Sequence, residues 1–354
     1  MGKIRIGIIG TGSISEMHFE AYKNHKDVEI AAICDLNEDR VIEQARKHHV
    51  DKYFTAYKDL LESDDIDAVS ICTWNNSHAE IAITAFKAGK HVLVEKPLCR
   101  TLEEAKNMEK EIKNNHNQVF QVGFVRRHGT AVKVLKKFID TGSLGEIYYA
   151  KASYLRALGN PGGWFADKER SGGGPLIDLG VHVIDLSWYL MGKPKVKSVS
   201  GNIYQRLGNR SNIKNKSFYK AADFHADQNS VEDLVSAMIR FDNGASIMVD
   251  ASFTLHAKSD SGELKVFGDK GGAEIDPSLH LTTEENDTIL NITPNIDQMS
   301  FTMQDGFQNE INHFISCIKG EEETIAPFTD GVEIMKILDA IYRSSQIGKE
   351  VYFD

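Results

Sequence analysis

The chain predicts two domains: an N-terminal α/β domain with a doubly wound parallel sheet, followed by an α+β domain with a largely antiparallel open sheet. Three observations lead there. Through the first ~120 residues, short apolar runs alternate with amphipathic helical stretches, the pattern of βαβ units. The first run feeds Gly10-Thr11-Gly12-Ser13-Ile14-Ser15 and then a helix, the context in which a glycine-rich turn signals a Rossmann dinucleotide-binding domain. Beyond Gly123 the strands lengthen and alternate, and Asp242-Asn243-Gly244 marks a hairpin between two of them.

In chain order, buried strands are expected over 4–9, 28–34, 68–72, 91–94 and 118–122, with helices over 13–24, 38–48, 77–88 and 102–114. Thr101 and Glu104 form a capping box at the start of the last helix. These elements make a dinucleotide-binding domain of residues 1–122 and leave 123–354 for substrate binding and oligomerisation. In the second part a helix is expected over 128–140, ending at Thr141-Gly142. A loop follows near 157–175, and strands are expected over 146–155, 196–206, 231–241, 245–253 and 262–267. The Asn-, Ser- and Lys-rich stretch 208–229 reads as a mobile, lid-like insertion. Helices over 304–319 and 331–347 close the chain, the last one expected to pack back on the first domain.

Composition narrows the function. The 354 residues carry 41 basic and 51 acidic side chains, a net charge of −10. That balance argues against nucleic acid and anionic membrane surfaces as partners. No apolar run approaches a membrane span, and the N-terminus runs straight into a strand, so a cytoplasmic location is expected. Cys34, Cys72, Cys99 and Cys317 are too scattered for a metal motif, and no histidine spacing suits a ligand set, so reduced thiols and no metal are expected.

Two regions carry the chemistry. In the first, Gly10 makes the tight turn, and Gly12, Ser13 and Ile14 bring backbone amides to a pyrophosphate at a helix N-terminus. Ser15 stands where a third Gly or Ala is usual and is small enough for helix–strand packing. Asp35 ends the second strand, where a carboxylate accepts ribose hydroxyls and repels a 2′-phosphate, favouring NAD over NADP. Arg40 reads as a solvated helix residue. Thr73, Asn75 and His78 follow the 68–72 strand, and Glu95 and Lys96 follow the next; all are expected at the cofactor. Asn75 equally suits a helix N-cap.

In the second region, Gly172-Gly173-Gly174-Pro175 leads into a helix over 175–191 with Asp178, His182 and Asp185 at i, i+4 and i+7. That spacing lets Asp178 orient the imidazole of His182, the arrangement of a general base with its acid. The glycines read as a loop that admits a ligand or another backbone. Flanked by Leu179, Val181, Val183 and Leu186, the same histidine also fits a core position.

Three spaced blocks, Gly7-Ile8-Ile9-Gly10-Thr11-Gly12, Ala88-Gly89-Lys90-His91-Val92-Leu93-Val94-Glu95-Lys96-Pro97 and the run from Gly173 to Asp185, resemble the glucose–fructose oxidoreductase and inositol dehydrogenase (Gfo/Idh/MocA) family of NAD(P)-dependent oxidoreductases. The stretch from Asp330 to Tyr342 is similar to that family's closing helix. Trp74, where many members have proline, departs from it. The resemblance implies oxidation of a secondary alcohol on a polyol or sugar, inositol-like or hexose-like, with Lys96, Asp178 and His182 catalytic and His182 the base. Glu95 would position Lys96 or the cofactor ribose, and Asp185 a structural acceptor. Arg126 or Arg127, Tyr154, Arg156, Trp164 and Arg170 are candidate walls of a substrate pocket, with Asp178 and His182 also touching substrate. Inward-facing arginines would admit a sugar phosphate or acidic sugar. A second class, a glycosidase that retains NAD and uses transient oxidation, differs by releasing sugar without net NADH, and a non-catalytic nucleotide sensor would have no need of the Lys96, Asp178 and His182 set. The family also implies a homodimer or homotetramer.

Overall fold

The computed structural model describes residues 2–112, 118–221, 223–225 and 228–353. It divides into two compact units, Met1–His128 with Thr302–Met335, and Gly129–Phe301 with Lys336–Asp354.

The first unit begins with β1 (Ile4–Ile9), α1 (Ser15–Lys23), β2 (Val28–Cys34), α2 (Glu38–His48), β3 (Lys52–Phe54) and α3 (Tyr57–Leu61). It continues with β4 (Ala68–Ile71), α4 (Asn75–Lys87), β5 (His91–Glu95), α5 (Leu102–Ile112) and β6 (Phe120–Gly123). All six strands pair in parallel, in the order β3-β2-β1-β4-β5-β6. Strand order reverses between β1 and β4, so the crevice for a ligand opens at their carboxyl ends. Ile6, Ile8, Ile9, Val69, Ile71, Val92 and Val94 are buried on both faces of this sheet, which is why the strands read as unbroken apolar runs. β3 and α3 were not expected, because a three-residue strand with exposed Lys52 and Tyr53 carries no apolar period. The capping box is formed: Thr101 Oγ1 accepts the Glu104 amide at 3.2 Å and Glu104 Oε2 accepts the Thr101 amide at 3.3 Å. Of the expected helix over 102–114, positions 113–114 lie outside the described residues.

The second unit runs through α6 (Thr130–Asp140), β7 (Ile147–Leu155), a 3-10 turn (Gly163–Ala166), α7 (Lys168–Ser171), a π turn (Leu176–Gly180) and α8 (Val181–Leu190). Then come β8 (Val196–Tyr204), β9 (Leu234–Phe241), β10 (Ser246–Ser252), β11 (Ser261–Gly268), β12 (Gly271–Asp276), β13 (His280–Glu285) and β14 (Thr288–Ile292). The helix expected from residue 128 is split by Gly129 into a 3-10 turn, Val125–His128, and α6. Two long helices follow: α9 (Met303–Ile318) in the first unit, and α10 (Phe328–Ile347), which contributes to the first unit up to Met335 and to the second from Lys336. β15 (Val351–Tyr352) completes a nine-stranded sheet, β14-β13-β12-β11-β7-β10-β9-β8-β15. Only the β7–β10 pair in it is parallel among the described residues. β9 alternates strictly between half-buried and buried positions, and α8 packs across β7, β10 and β11. The hairpin turn is as the sequence predicts: Gly244 has φ +87° and Asn243 Oδ1 accepts the Ala245 amide. β12 opens on two glycines, and β13 and β14 are mostly exposed, so none of the three reads as a buried strand.

In the first unit Ile6, Ile8, Phe19, Tyr22 and Ile33 share a core with Ile311, Phe314 and Ile315 of α9. Each such side chain contributes about 1.5–3 kcal/mol by leaving water. The start of α10 is tied to the same unit by charge. Arg127, 1% exposed, meets Asp330 at 2.6 Å and donates to the Ile325 carbonyl, with its guanidinium 4.9 Å from the Phe124 ring centroid. No helix among the described residues is long and apolar enough to cross a membrane.

Removing one partner of this buried pair strands the other charge. Asp330→Ala is expected to destabilise the protein by about 3–5 kcal/mol, read as a lower urea midpoint by circular dichroism; an unchanged midpoint would show that Arg127 finds water.

Candidate active site

At the end of β1 the Gly10 amide donates to the Cys34 carbonyl at 2.8 Å and the backbone takes φ +89°. A Cβ on Gly10 would lie 2.7 Å from the carbonyl carbon and oxygen of Cys72, so no other residue fits the turn. At Gly12 a Cβ would meet nothing within 4 Å. The turn is therefore closed on the sheet side at Gly10 and open at Gly12, beside an α1 start with no side-chain cap at Ile14. These features fit the pyrophosphate of a dinucleotide, which would take up the open amides. Ser15 replaces the third glycine usefully, since its hydroxyl donates to the Gly12 carbonyl at 2.7 Å.

Asp35 is already engaged. Its Oδ2 accepts the Thr11 amide at 2.8 Å and the Thr11 hydroxyl at 3.0 Å, and its Oδ1 accepts the Asn37 amide at 2.9 Å. Thr11, buried and unremarked in the sequence, thus pins the glycine turn to the end of β2. Arg40, expected in solvent, instead brings Nη1 to 3.5 Å from Asp35 Oδ2.

Thr73 and Asn75 stand at the carboxyl end of β4, where Thr73 Oγ1 accepts the Ser77 hydroxyl at 2.7 Å. Trp74, not Asn75, takes the N-cap position of α4, and Asn75 is its first, buried residue. His78, expected at the cofactor, is 1% exposed, with Nδ1 2.9 Å from the Pro97 carbonyl and Nε2 3.1 Å from the Thr73 carbonyl, and burial pushes its pKa down. A neutral imidazole donates to only one of these carbonyls, so the ring bonds one loop and rests against the other.

Glu95 likewise turns inward, at 6% exposure. Oε1 lies 2.9 Å from His18 Nε2, and Oε2 accepts the Lys96 amide at 3.2 Å. His18 Nδ1 is 3.3 Å from Ser70 Oγ, which is 2.7 Å from the Tyr22 hydroxyl. Of the two expected partners of Glu95, the Lys96 main chain is the one it meets in the ligand-free protein. Lys96 is half-buried between buried Glu95 and buried Pro97, so its side chain is the one this strand end presents outward. His18 and Tyr22, one helical turn apart on α1, were passed over in the sequence because nothing local announces their partner on β5.

In the second unit every residue from Gly173 to Trp188 is buried except Asp178 and His182. Asp185, 1% exposed, is in the interior. The helix expected over 175–191 is not uniform: Leu176–Gly180 winds as a π turn before α8 begins. A π turn inserts one residue into the ladder and re-aims the side chains on it, a device frequent at functional sites. The Gly174 carbonyl accepts the Ile177 and Asp178 amides at 3.1 and 3.0 Å.

The other expected pocket residues differ in burial and in the partners that hold them. Arg127 is removed from the set by its buried pair with Asp330. Arg170 is held by Asp167 at 2.7 Å and Asp223 at 2.8 Å, and Arg156 donates to the Gly159 carbonyl with its guanidinium 5.6 Å from the Tyr154 ring centroid. Arg126 and Tyr154 are half-buried, as is Trp164, whose ring centroid is 3.9 Å from that of Phe165. In the insertion 208–229, Asp223 accepts the Trp164 amide at 3.3 Å, so this part of the expected lid is fastened to the turn that carries Trp164. The four cysteines are buried and free, and burial pushes the Cys34 thiol up to about 12. Among the described residues no group of three or more His, Cys, Asp or Glu could hold a metal ion.

Residues 4–124 match the model of an oxidoreductase family with an NAD-binding Rossmann fold, and residues 136–353 match that family's C-terminal alpha/beta domain. The chain is 31% identical over 351 residues to a D-glucoside 3-dehydrogenase of Escherichia coli (strain K12), covering 98% of this chain and 97% of that protein. It is 29% identical over 335 residues to a myo-inositol 2-dehydrogenase of Thermotoga maritima, covering 93% and 92%. A solved levoglucosan dehydrogenase in complex with NADH and levoglucosan is similar with TM-score 0.86 and 26% identity over 99% of both chains.

The two glycines of the turn should respond differently to a methyl group. Gly10→Ala is expected to destabilise the ligand-free protein by about 1–3 kcal/mol or more, whereas Gly12→Ala should stay within about 0.5 kcal/mol of the parent. Urea unfolding of both variants checks this, and equal losses would contradict the open face at Gly12.

Proposed function

The chain belongs to the Gfo/Idh/MocA oxidoreductase family, with its NAD-binding Rossmann fold and C-terminal alpha/beta domain, and from that premise we propose that it is an NAD-dependent dehydrogenase of a secondary alcohol on a neutral sugar or polyol. The observation that carries the reading is the pair Asp178 and His182, the two residues left accessible on an otherwise buried run. An alcohol carbon that gives up hydride must also give up its hydroxyl proton, and the imidazole of His182 accepts it. Asp178 orients that imidazole and stabilises its charged form. Lys96 donates to the reacting oxygen and stabilises the alkoxide character that develops there. The bound nicotinamide supplies the two-electron acceptor.

Gly10, Gly12, Ser13 and Ile14 would hold the pyrophosphate, with Thr73, Asn75 and Lys96 toward the nicotinamide. Asp35 would accept an adenosine ribose hydroxyl at the lone pair its internal donors leave, and its charge favours NAD over NADP. A neutral substrate is supported by the arginines, since Arg127 and Arg170 are already paired with carboxylates. The relatives named for glucosides and inositol support the same class. Half-exposed Leu234, Met238 and Met248 on one face of β9 and β10 support a homodimer or homotetramer built through that face. A soluble cytoplasmic enzyme fits this reading.

A screen of methyl glucosides, levoglucosan, inositols and hexoses with NAD and NADP should give net NADH with a neutral sugar or polyol. Sugar release without NADH would replace the dehydrogenase reading by a redox-assisted glycosidase. His182→Ala is expected to lower kcat by about 10²–10⁴-fold with NADH affinity unchanged by fluorescence titration; a variant with near-parental kcat would remove His182 as base. Asp35→Ser should weaken NAD binding and raise the relative use of NADP, and an unchanged cofactor ratio would dismiss the role given to Asp35.

A further inference from the structure

The glycines before Pro175 face a clamp that the reaction above does not use. Glu232, just ahead of β9, is buried. Its Oε2 accepts the Gly174 amide at 3.0 Å, and its Oε1 accepts both the Leu176 amide at 3.2 Å and the Tyr342 hydroxyl at 2.9 Å. All three partners belong to the second unit. Two of them are amides at the start of a helical segment, which have no acceptor within the helix. A carboxylate there makes charge-assisted bonds and complements the helix dipole.

The clamp also accounts for two of the glycines. A Cβ on Gly173 would stand 1.9 Å from the Tyr342 hydroxyl oxygen, and one on Gly174 would stand 2.6 Å from the Glu232 carbonyl oxygen. The backbone approach that the glycines permit is therefore to Glu232 and Tyr342. Burial and the Glu232 charge hold the Tyr342 phenol well above its usual range, so it stays a donor.

From Glu232 the path to Asp178 is short. Gly174, held through its amide, offers its carbonyl to the Asp178 amide at 3.0 Å. Leu176, held by the other carboxylate oxygen, is the first residue of the π turn that carries Asp178. We infer that Glu232, backed by Tyr342, is a positioning residue for the reaction: its grip on Gly174 and Leu176 sets the π turn and thereby where Asp178 and His182 stand. The inference rests on the proposed role of those two residues in proton transfer.

A cap that served stability alone would lower the melting temperature and leave turnover of the folded enzyme intact. A positioning residue acts on kcat, because a base moved by a fraction of an ångström fails in the transition state more than in substrate binding. Glu232→Gln keeps the size but replaces one acceptor by a donor that faces the Gly174 or Leu176 amide. Tyr342→Phe keeps the ring and both carboxylate–amide bonds and removes the phenol's bond to Glu232 together with its contact to the Gly174 backbone. The readouts are kcat and KM on whichever of levoglucosan, myo-inositol or methyl β-D-glucoside the parent turns over, and amide hydrogen exchange of the ligand-free protein.

Glu232→Gln is expected to lower kcat about ten- to hundredfold, with a smaller change in KM, parental NADH affinity, and faster exchange in the peptide spanning 174–182 while β9 and β10 keep their protection. Tyr342→Phe should move kcat and exchange in the same direction by less, and it carries the test where the Gln variant does not fold. Parental exchange at 174–182 in folded variants, or faster exchange with parental kcat, would overturn the inference. A His182→Ala enzyme that keeps its activity would instead overturn the catalytic reading, and the exchange result would still decide whether Glu232 holds the turn.

Discussion

Main-chain amides that leave a sheet or open a helix must find acceptors, and in this chain carboxylates supply them at one loop after another. Asp35 takes the amides of Thr11 and Asn37, Glu95 that of Lys96, and Glu232 those of Gly174 and Leu176. Asp233 takes those of Arg206 and Leu207, Asp260 that of Ala157 and Asp269 that of Glu146. Each bond to a charged acceptor contributes about 1.5–3 kcal/mol, and leaving the amide unmet in the interior costs as much. The acidic balance of the chain, −10 overall, is thus partly an internal matter of loop architecture. Three of these carboxylates hold the segments that bear the proposed chemistry: the glycine turn, Lys96 and the π turn.

What the sequence made legible follows from how local the signal is. β1, β2 and α2 have the boundaries expected from the sequence. The turn at Gly10 and the hairpin at Gly244 rest on one residue each, with a conformation only glycine adopts easily. The Asp178 and His182 pair was visible as a spacing, and the structure leaves those two residues accessible. Their supports were not visible. His18 is 77 residues from Glu95, Glu232 is 58 from Gly174, and Tyr342 is 110 from Glu232. No periodicity or motif joins positions so far apart. His78 lies beside expected cofactor residues in the chain, and its ring stands between the Pro97 and Thr73 carbonyls, a placement no local pattern announces.

The π turn marks a different limit. Leu176 to Gly180 has no residue that forbids an α-helix outright, and the i, i+4 spacing of Asp178 and His182 suggests one regular stripe. The wider winding wins because tertiary partners act on its first residues: Glu232 fixes two amides, and the Gly173 and Gly174 backbones are pressed against Tyr342 and the Glu232 carbonyl. Propensity is a weak prior where several strong bonds converge on a few residues. An irregular winding held from outside also costs stability elsewhere, which makes it a plausible place for function to have been built.

The cluster beneath Lys96 follows the same logic in the first unit, with a difference in charge. Glu310, fully buried on α9, has its carboxyl pushed well above the usual range, first by burial and then by the charge of Glu95. A buried carboxyl near a second carboxylate holds its proton more tightly. Glu95 meets His18 through Oε1 and holds the Lys96 amide through Oε2. Because the Glu310 carboxyl is pushed up in the folded protein, the stability tied to its proton is fully present below the ordinary carboxylate range and is lost as pH rises from there through the folded pKa. The strand end that carries Lys96 is thus coupled through Glu95 to a residue more than two hundred places away in the chain, on a helix that the Rossmann pattern alone would never have linked to it.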